Sequence, residues 1–249
     1  MAGKEEIIYG VNPVTEALRG ERAMYELFVA GSSGDKRLEK LLKLAAERGV
    51  PVRHRDKGDL ARLCGTDHHQ GVALKVEPFH YAELDEVLDR VRGEADALIL
   101  LLDSVQDPHN LGALIRSAAC AGAAAVVIPK DRAAGVTAVA EKASAGAAST
   151  VPVVQVVNLV HALEELKKEG FWIYGADGSA KQSLYRQDLT GRVALIVGGE
   201  GEGIRPLVRK ASDGLLGIPM QGGVNSLNAS VAGGVMLFEV VRQRLAKKA

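Results

Sequence analysis

The sequence predicts an α/β protein in two parts: a small N-terminal α/β domain and a larger C-terminal domain built on a mostly parallel sheet. Three observations carry this. Strand-like and helix-like segments alternate along nearly the whole chain, the pattern of α/β architecture. Residues 97–102 form a continuous apolar run closed by Asp103, as expected of a strand buried on both faces of a parallel sheet. An acidic stretch separates the parts: residues 77–95 carry 6 Asp/Glu against 2 Lys/Arg, whereas residues 1–76 carry 11 against 13 and residues 96–249 carry 14 against 16.

Residues 7–10 read as a short strand. Asn12 and Pro13 then mark a helix start, with Asn as the cap and Pro in the first turn. Residues 24–30 are strand-like, and residues 36–48 set Leu38, Leu41, Leu42 and Ala45 at helical spacing. A strand at 51–55, a short helix at 59–64 and a strand at 72–76 complete a domain spanning residues 1–76. In 77–95, Leu84, Val87, Leu88 and Val91 repeat helically, giving a linker and the leading helix of the next domain, 96–249. There the predicted order is strand 97–102, helix 110–122, strand 125–129, helix 136–144, strand 151–154, helix 159–169 and strand 171–175. A strand at 193–197, a glycine loop, a helix from Arg205, a strand at 215–219, a second loop and a helix over 226–247 follow.

The 249 residues are 47% apolar and 25% charged, ordinary for a globular protein and enough to bury a core without metal or disulfide. Formal net charge is zero, so a nucleic-acid site has to be a local patch rather than a global field. Cys64 and Cys120 match no metal-ligand spacing and read as reduced, buried thiols, and the six histidines form no cluster with them, so no metal is expected. The chain lacks a signal-peptide core and any run near the ~18 apolar residues of a membrane helix. A cytoplasmic protein without membrane attachment is expected.

Three segments carry the chemistry. The first, residues 102–116, is a strand end, a polar loop and a helix start, placed where open α/β sheets bind ligands. It offers Asn110 and, amid Leu111, Leu114, Ile115 and Ala118, Arg116. A guanidinium among apolar neighbours needs a partner: an RNA phosphate or ribose on one reading, a structural salt bridge on the other. The second, Gly198-Gly199-Glu200-Gly201-Glu202-Gly203, follows a strand and implies close backbone approach, either to a ligand or within a tight turn. Its spacing is not the dinucleotide G-x-G-x-x-G, and two glutamates would repel a pyrophosphate, so a ligand without phosphates fits better. The third, residues 218–230, holds Gly222-Gly223 and then Asn225-Ser226-Leu227-Asn228, with Ser226 as the expected helix cap. The helix beyond sets Leu227, Val231, Val235, Phe238 and Val241 on one face, read mostly as core, and small residues at Ala229, Ala232, Gly233 and Gly234 that admit a second helix closely.

In this order and position, the three segments closely resemble the three motifs of the SpoU/TrmH family of RNA 2′-O-ribose methyltransferases. Asn110 and Arg116 match the first motif, Glu200 the second, and Asn225-Ser226-Leu227-Asn228 the third. Tyr9-Gly10-Val11-Asn12-Pro13-Val14 and His69-Gln70-Gly71-Val72 resemble the substrate-binding domain of a branch that methylates a guanosine in large-subunit (23S) ribosomal RNA. The resemblance implies a ribosomal-protein-like RNA-binding N-terminal domain and a SPOUT catalytic domain with a deep trefoil knot (an α/β-knot). It implies S-adenosylmethionine as cofactor, held at Gly198, Gly199, Ile218 and Leu227, and catalysis by Arg116, Asn110, Glu200, Ser226 and Asn228. It also implies a homodimer through the C-terminal helix, with Arg116 acting near the other subunit's cofactor. Candidate RNA contacts are Arg53, Arg55, Lys57 and Arg62, with solvated surface charges as the plainer reading.

The implied reaction is direct displacement of a sulfonium methyl by a ribose 2′-oxygen, which needs neither metal nor covalent intermediate. The hydroxyl proton must be removed or polarised. The resemblance implies Arg116 as the base, helped by an RNA phosphate. Because a guanidinium very rarely deprotonates, the alternative is that Arg116 stabilises the developing alkoxide, with Glu200 orienting it or taking the proton, and the sequence does not choose between them. Three alternatives stand beside this: the same chemistry on transfer RNA or a resistance-conferring ribosomal site, a catalytically silent RNA-binding assembly factor, and a nucleotide-dependent oxidoreductase.

Overall fold

The N-terminal apolar segments pair into a mixed sheet. In chain order its unit holds β1 (Glu6–Tyr9), α1 (Val11–Arg19), β2 (Met24–Val29), α2 (Lys36–Glu47), β3 (Val52–His54), α3 (Lys57–Cys64) and β4 (Val72–Val76). The computed structural model describes residues 5–20, 22–30, 36–223 and 226–248. These fall into two units, Met1–His80 with Thr137–Lys142, and Tyr81–Val136 with Ala143–Ala249.

The first sheet has strand order β1-β4-β2-β3, with β4 antiparallel to β1 and β2 and β3 parallel to β2. Alternation along β2 decides which helix covers which face. Leu27 and Val29 pack with Val14 and Leu18 of α1 and Leu41 and Ala45 of α2, while Phe28 points the other way, to Leu60 of α3 and Ala73. Helix α1 begins at Val11, one residue before the expected Asn12 cap, and has no local side-chain cap. Gln70 serves instead: its Oε1 accepts the Val11 amide at 3.0 Å. The two N-terminal signature segments therefore meet each other. Gly71 is obligatory there, since its φ is +77° and a Cβ would sit 2.7 Å from the Ala30 carbonyl oxygen.

The second unit continues with α4 (Leu84–Arg90), β5 (Ala97–Asp103), α5 (Pro108–Cys120), β6 (Ala125–Pro129), α6 (Ala138–Ala143), β7 (Val153–Val156), α7 (Leu159–Lys168), β8 (Trp172–Ala176), β9 (Gln182–Ser183), β10 (Arg192–Gly198), α8 (Pro206–Ala211), β11 (Gly214–Gly217) and α9 (Ala229–Lys248). Most of α6 belongs to the first unit, where Ala138 joins the core. The seven strands run in the order β7-β6-β5-β10-β8-β11-β9, and every pairing is parallel. All seven therefore end at one edge. Ile99, Leu101, Val127, Ala194 and Ile196 pack on one face with Val87, Leu163, Leu166 and Val208 from α4, α7 and α8. The alternate residues Leu98, Leu100 and Leu102 are fully buried on the opposite face, where α5 and α9 pack together.

Helix α9 departs from its expected face. Its buried residues are Ala229, Gly233, Met236, Leu237, Glu239 and Val240, whereas Val231 and Phe238, expected in the core, are each 50% exposed. The reason is Gly233: a Cβ there would lie 2.3 Å from Leu114 Cδ2 of α5, so the small side of α9 turns toward its own chain. Two smaller expectations also fail. Cys120 is exposed rather than buried, and Cys64 is partly so.

Candidate active site

Side-by-side parallel strands bring the motif loops together. Register pairs Asp103 of β5 with Gly198 of β10 at the common carboxyl edge. The loops diverge there and lock at once, with the Gly199 amide donating to the Asp103 carbonyl at 2.8 Å. Asp103 is wholly buried, and a buried carboxylate needs charge and hydrogen-bond partners. Arg205, 102 residues on, supplies both: its Nε donates to Oδ1 at 2.6 Å and its backbone amide to Oδ2 at 2.8 Å. Sequence reasoning noted Asp103 only as the end of an apolar run. Its position as a charge closing a buried strand was the available signal.

The four glycines of the second loop are explained by the chain itself. A Cβ on Gly198 would lie 2.2 Å from the Gly203 carbonyl carbon, and one on Gly199 would lie 2.2 Å from the Ser104 oxygen. Gly201 and Gly203 have φ of +94° and +66°. The loop is thus a tight turn folded against residue 104, and it presents Glu200 outward.

Glu200 is the meeting point of the three segments. Its Oε1 accepts Asn110 Nδ2 at 3.0 Å and Asn228 Nδ2 at 2.6 Å, and Asn228 Nδ2 also reaches Asn110 Oδ1 at 3.0 Å. The three side chains close a ring of hydrogen bonds across sequence separations of 90, 28 and 118 residues. Asn228 does a second job. Its Oδ1 accepts the Ser230 amide at 2.9 Å and the Val231 amide at 3.3 Å, so it, and not Ser226, caps α9. Ser226 lies exposed, two residues further out. Asn225 lies outside the described residues.

Beside the ring opens a cavity of about 760 Å³, lined by Gly198, Gly199, Glu200, Ile218, Leu227 and Asn228 among others. Its far wall was missed from sequence: Asp177, Ser179 and Arg209. The Asp177 carboxylate accepts the Ser179 amide and hydroxyl, each at 2.7 Å, and pairs with Arg209 at 2.5 Å. Burial works against the charge on Asp177, but the Ser179 bonds and Arg209 outweigh it and hold its pKa below the usual carboxylate value. Asp177 follows β8 at the same carboxyl edge, so the placement rule that found the first loop would have found this one. Among the described residues no group of three His, Cys, Asp or Glu side chains is arranged to hold a metal.

Arg116 does not join the ring. It lies six residues beyond Asn110, about 120° around α5, exposed and without a hydrogen bond or ion pair among the described residues. The expected buried guanidinium is therefore a free surface cation, since the apolar face of α5 runs through Leu111, Leu114, Ile115 and Ala118. In the N-terminal unit, Arg53 pairs with Glu26 and Arg62 with Asp59, whereas Arg55 and Lys57 are exposed with no such partner among the described residues.

Comparison with known proteins agrees with this geometry. Residues 97–238 match the model of the SpoU rRNA Methylase family, and residues 7–82 match the model for RNA 2′-O ribose methyltransferase substrate binding. The chain is 46% identical over 243 residues to the 23S rRNA (guanosine-2′-O-)-methyltransferase RlmB of Ralstonia nicotianae, covering 97% of each chain. It is also 46% identical over 249 residues to the enzyme of that name from Xanthomonas campestris, covering 98% of this chain and 99% of the other. The crystal structure of the SpoU methyltransferase AviRb from Streptomyces viridochromogenes, in complex with the cofactor AdoMet, aligns with TM-score 0.63 at 27% identity, covering 97% of this chain and 91% of that one.

Proposed function

Because the chain belongs to the SpoU rRNA methylase family, we propose that it transfers a methyl group from S-adenosylmethionine to the ribose 2′-hydroxyl of a guanosine in 23S ribosomal RNA. The observation that carries the reading is the Asn110–Glu200–Asn228 ring at the mouth of a cavity large enough for the cofactor. The relatives' shared activity and their match over nearly the full chain support the ribosomal substrate.

The cavity suits that cofactor. With Asp177 paired to Arg209, Glu200 and Glu202 leave the wall net acidic, and Val197, Leu216, Ile218 and Leu227 set apolar surface, a combination that favours a cationic ligand with a flat apolar base. Gly198, Gly199, Ile218 and Leu227 hold it, the glycines through backbone groups. Bound there, S-adenosylmethionine supplies an electrophilic methyl group on a positive sulfonium. The ring fixes Glu200 by Oε1, which leaves Oε2 to orient or accept the hydroxyl proton. Asn110 and Asn228 act as positioning groups, and Ser226, which lines the cavity, contacts the ribose. Arg116 stabilises the developing alkoxide electrostatically.

Since Arg116 faces away from its own ring, it serves the site of a second copy, and the active form is a homodimer. An apolar stripe on α9 supports this: Val231, Phe238 and Leu245, seven residues apart, are 50%, 50% and 64% exposed. The catalytic part, residues 96–249, is trefoil-knotted at its C-terminal end. The entry of β10 between β5 and β8, and the bonds from Asn228 back to Glu200 and Asn110, support that path. Residues 1–76 bind RNA through Arg53, Arg55, Lys57 and Arg62, and residues 77–95 connect the two. A ribosomal RNA substrate implies work in the cytoplasm, and no helix among the described residues is long and apolar enough to cross a membrane.

The test is methyl transfer from labelled S-adenosylmethionine to a 23S transcript and to bulk transfer RNA, with the modified ribose mapped by mass spectrometry. A single ribose-methylated guanosine in the 23S transcript is expected. Labelling of transfer RNA alone would move the enzyme to another substrate, and binding without transfer would make it a silent assembly factor.

A further inference from the structure

The carboxyl edge of the second sheet carries a loop that the site described above does not use. Strands β5 and β6 are parallel neighbours, so the chain leaving β6 at Pro129 emerges beside the chain leaving β5 at Asp103. It continues as Lys130-Asp131-Arg132-Ala133-Ala134-Gly135. Two main-chain bonds fix its ends: Lys130 N to Val156 O at 2.8 Å, and Ala134 N to Val105 O at 2.8 Å. The second ties it directly to the first motif loop. One residue earlier, the Ser104 carbonyl is the surface against which Gly199 of the cavity wall is packed. The loop is thus one packed layer from the reaction cavity.

Lys130 and Arg132 are both exposed and, among the described residues, neither has a side-chain hydrogen bond or an ion pair. Arg132 has φ of +59°, a left-handed conformation uncommon for a long side chain, and Ser104, the first residue after β5, has φ of +64°. Asp131 lies between the cations, exposed, and pairs with neither. Other exposed cations of this unit, Arg90, Lys181, Arg186 and Lys210 among them, also have no ion pair among the described residues; what sets Lys130 and Arg132 apart is their place at the carboxyl edge, on a loop tied to the first motif loop. Two unpaired cations on a loop tied at both ends, beside a site that takes a polyanion, have a simple chemical complement.

We propose that Lys130 and Arg132 bind phosphates of the RNA strand flanking the nucleotide to be methylated, as a second cationic contact on the catalytic unit beside Arg116. The inference rests on the RNA substrate proposed above. The two cations neutralise phosphates and fix the strand's register without reading its sequence. Their loss therefore acts on RNA binding and leaves cofactor binding alone.

The experiment is filter binding of a single-stranded 23S fragment across a salt series, with calorimetric titration of S-adenosylmethionine on the same samples. It uses the wild type, Lys130→Ala, Arg132→Gly and the double variant. Glycine tolerates the left-handed backbone, so Arg132→Gly removes the charge without adding strain. The Lys130→Arg variant is expected to bind as the wild type does, which separates charge from local folding. For the double variant, RNA affinity is expected to fall roughly ten-fold or more at moderate salt, with the log–log salt slope reduced by about 0.7 per cation lost. S-adenosylmethionine affinity and turnover at saturating RNA are expected to stay within about two-fold of wild type. Unchanged RNA affinity and slope in the double variant would overturn the proposal, as would parallel loss of cofactor binding. Failure of the wild type to methylate any RNA would instead strike the proposed activity, and the slope comparison would still report on the loop.

Discussion

The two units share an α/β design but use their polar signatures in opposite ways. In the first unit β4 runs against β1 and β2, so loops leave both ends of the sheet. Its signature residues satisfy one another: Gln70 caps α1, His69 accepts the Gly71 amide, and Gly71 fits under Ala30. In the second unit every strand runs one way, so all post-strand loops gather at one edge. There Asn110, Glu200 and Asn228 meet beside a cavity. Uniform strand direction therefore concentrates polar groups from distant sequence, whereas the mixed sheet uses its polar groups to close itself.

Parallel substitutions sharpen that comparison. The largest effect is expected from Gly199→Ala, whose Cβ would overlap the Ser104 carbonyl. It should cost about 3 kcal/mol in urea unfolding and eliminate S-adenosylmethionine binding in calorimetry. Gly71→Ala, the matching change in the first unit, should cost a similar amount in the same melt yet spare cofactor affinity. If both changes abolished cofactor binding, the contrast between the units would be lost.

Next comes Arg116→Ala, expected to lower kcat by roughly 10²–10³-fold with stability within about 0.5 kcal/mol of wild type, because the side chain is exposed and unpartnered. Full turnover would remove Arg116 from the chemistry. Asn228→Ala should do two things at once: lower kcat by about ten-fold or more through the ring, and cost roughly 1 kcal/mol of stability through the lost cap. Asn228→Asp separates these, since it keeps the cap oxygen but sets a carboxylate against Glu200. It should lose activity with the cap kept, so any fall in its thermal midpoint reports the repulsion at Glu200 and not a lost cap.

Smaller effects are expected in the first unit. Arg55→Ala and Lys57→Ala should each weaken RNA binding a few-fold, and Arg53→Ala and Arg62→Ala less, because the last two are already held by Glu26 and Asp59. Equal losses at all four would show that the local ion pairs do not matter. The smallest effect concerns pH. Hydrogen bonds from Arg242, opposed by burial and aided by Gln243, hold the Glu239 pKa below its ordinary value of 4.5. A lowered pKa in the folded state adds stability above the unfolded pKa and loses it as pH falls through the folded one. The midpoint difference between wild type and Glu239→Gln should therefore be constant at neutral pH and shrink below about pH 4.5.

Most elements were legible because their periodicity is strong. The run at 97–102 lies within β5, and the helical spacing of residues 159–169 marks α7. What failed were assignments that depend on a partner far along the chain. The cap of α1 comes from Gln70, 59 residues away, so Asn12 looked like the better local candidate. Ser226 looked like the cap of α9 because serine is a good cap, but Asn228 is the residue anchored by Glu200. The apolar face of α9 looked like core because the pattern of apolar residues does not say which side Leu114 needs. Arg116 looked buried because its neighbours are apolar, though helical rotation turns it outward.

By itself the sequence determined the strand–helix alternation, the parallel sheet and the three segments that hold the ring residues. These follow from local patterns, because hydrophobic periodicity and backbone propensity act over a few residues. Tertiary structure alone decided which side chains meet: the Asp103–Arg205 pair, the Asp177–Arg209 wall, the outward turn of Arg116, and the convergence of Asn110, Glu200 and Asn228. Those contacts span up to 118 residues and depend on strand order and register, which fix distances that no local pattern encodes.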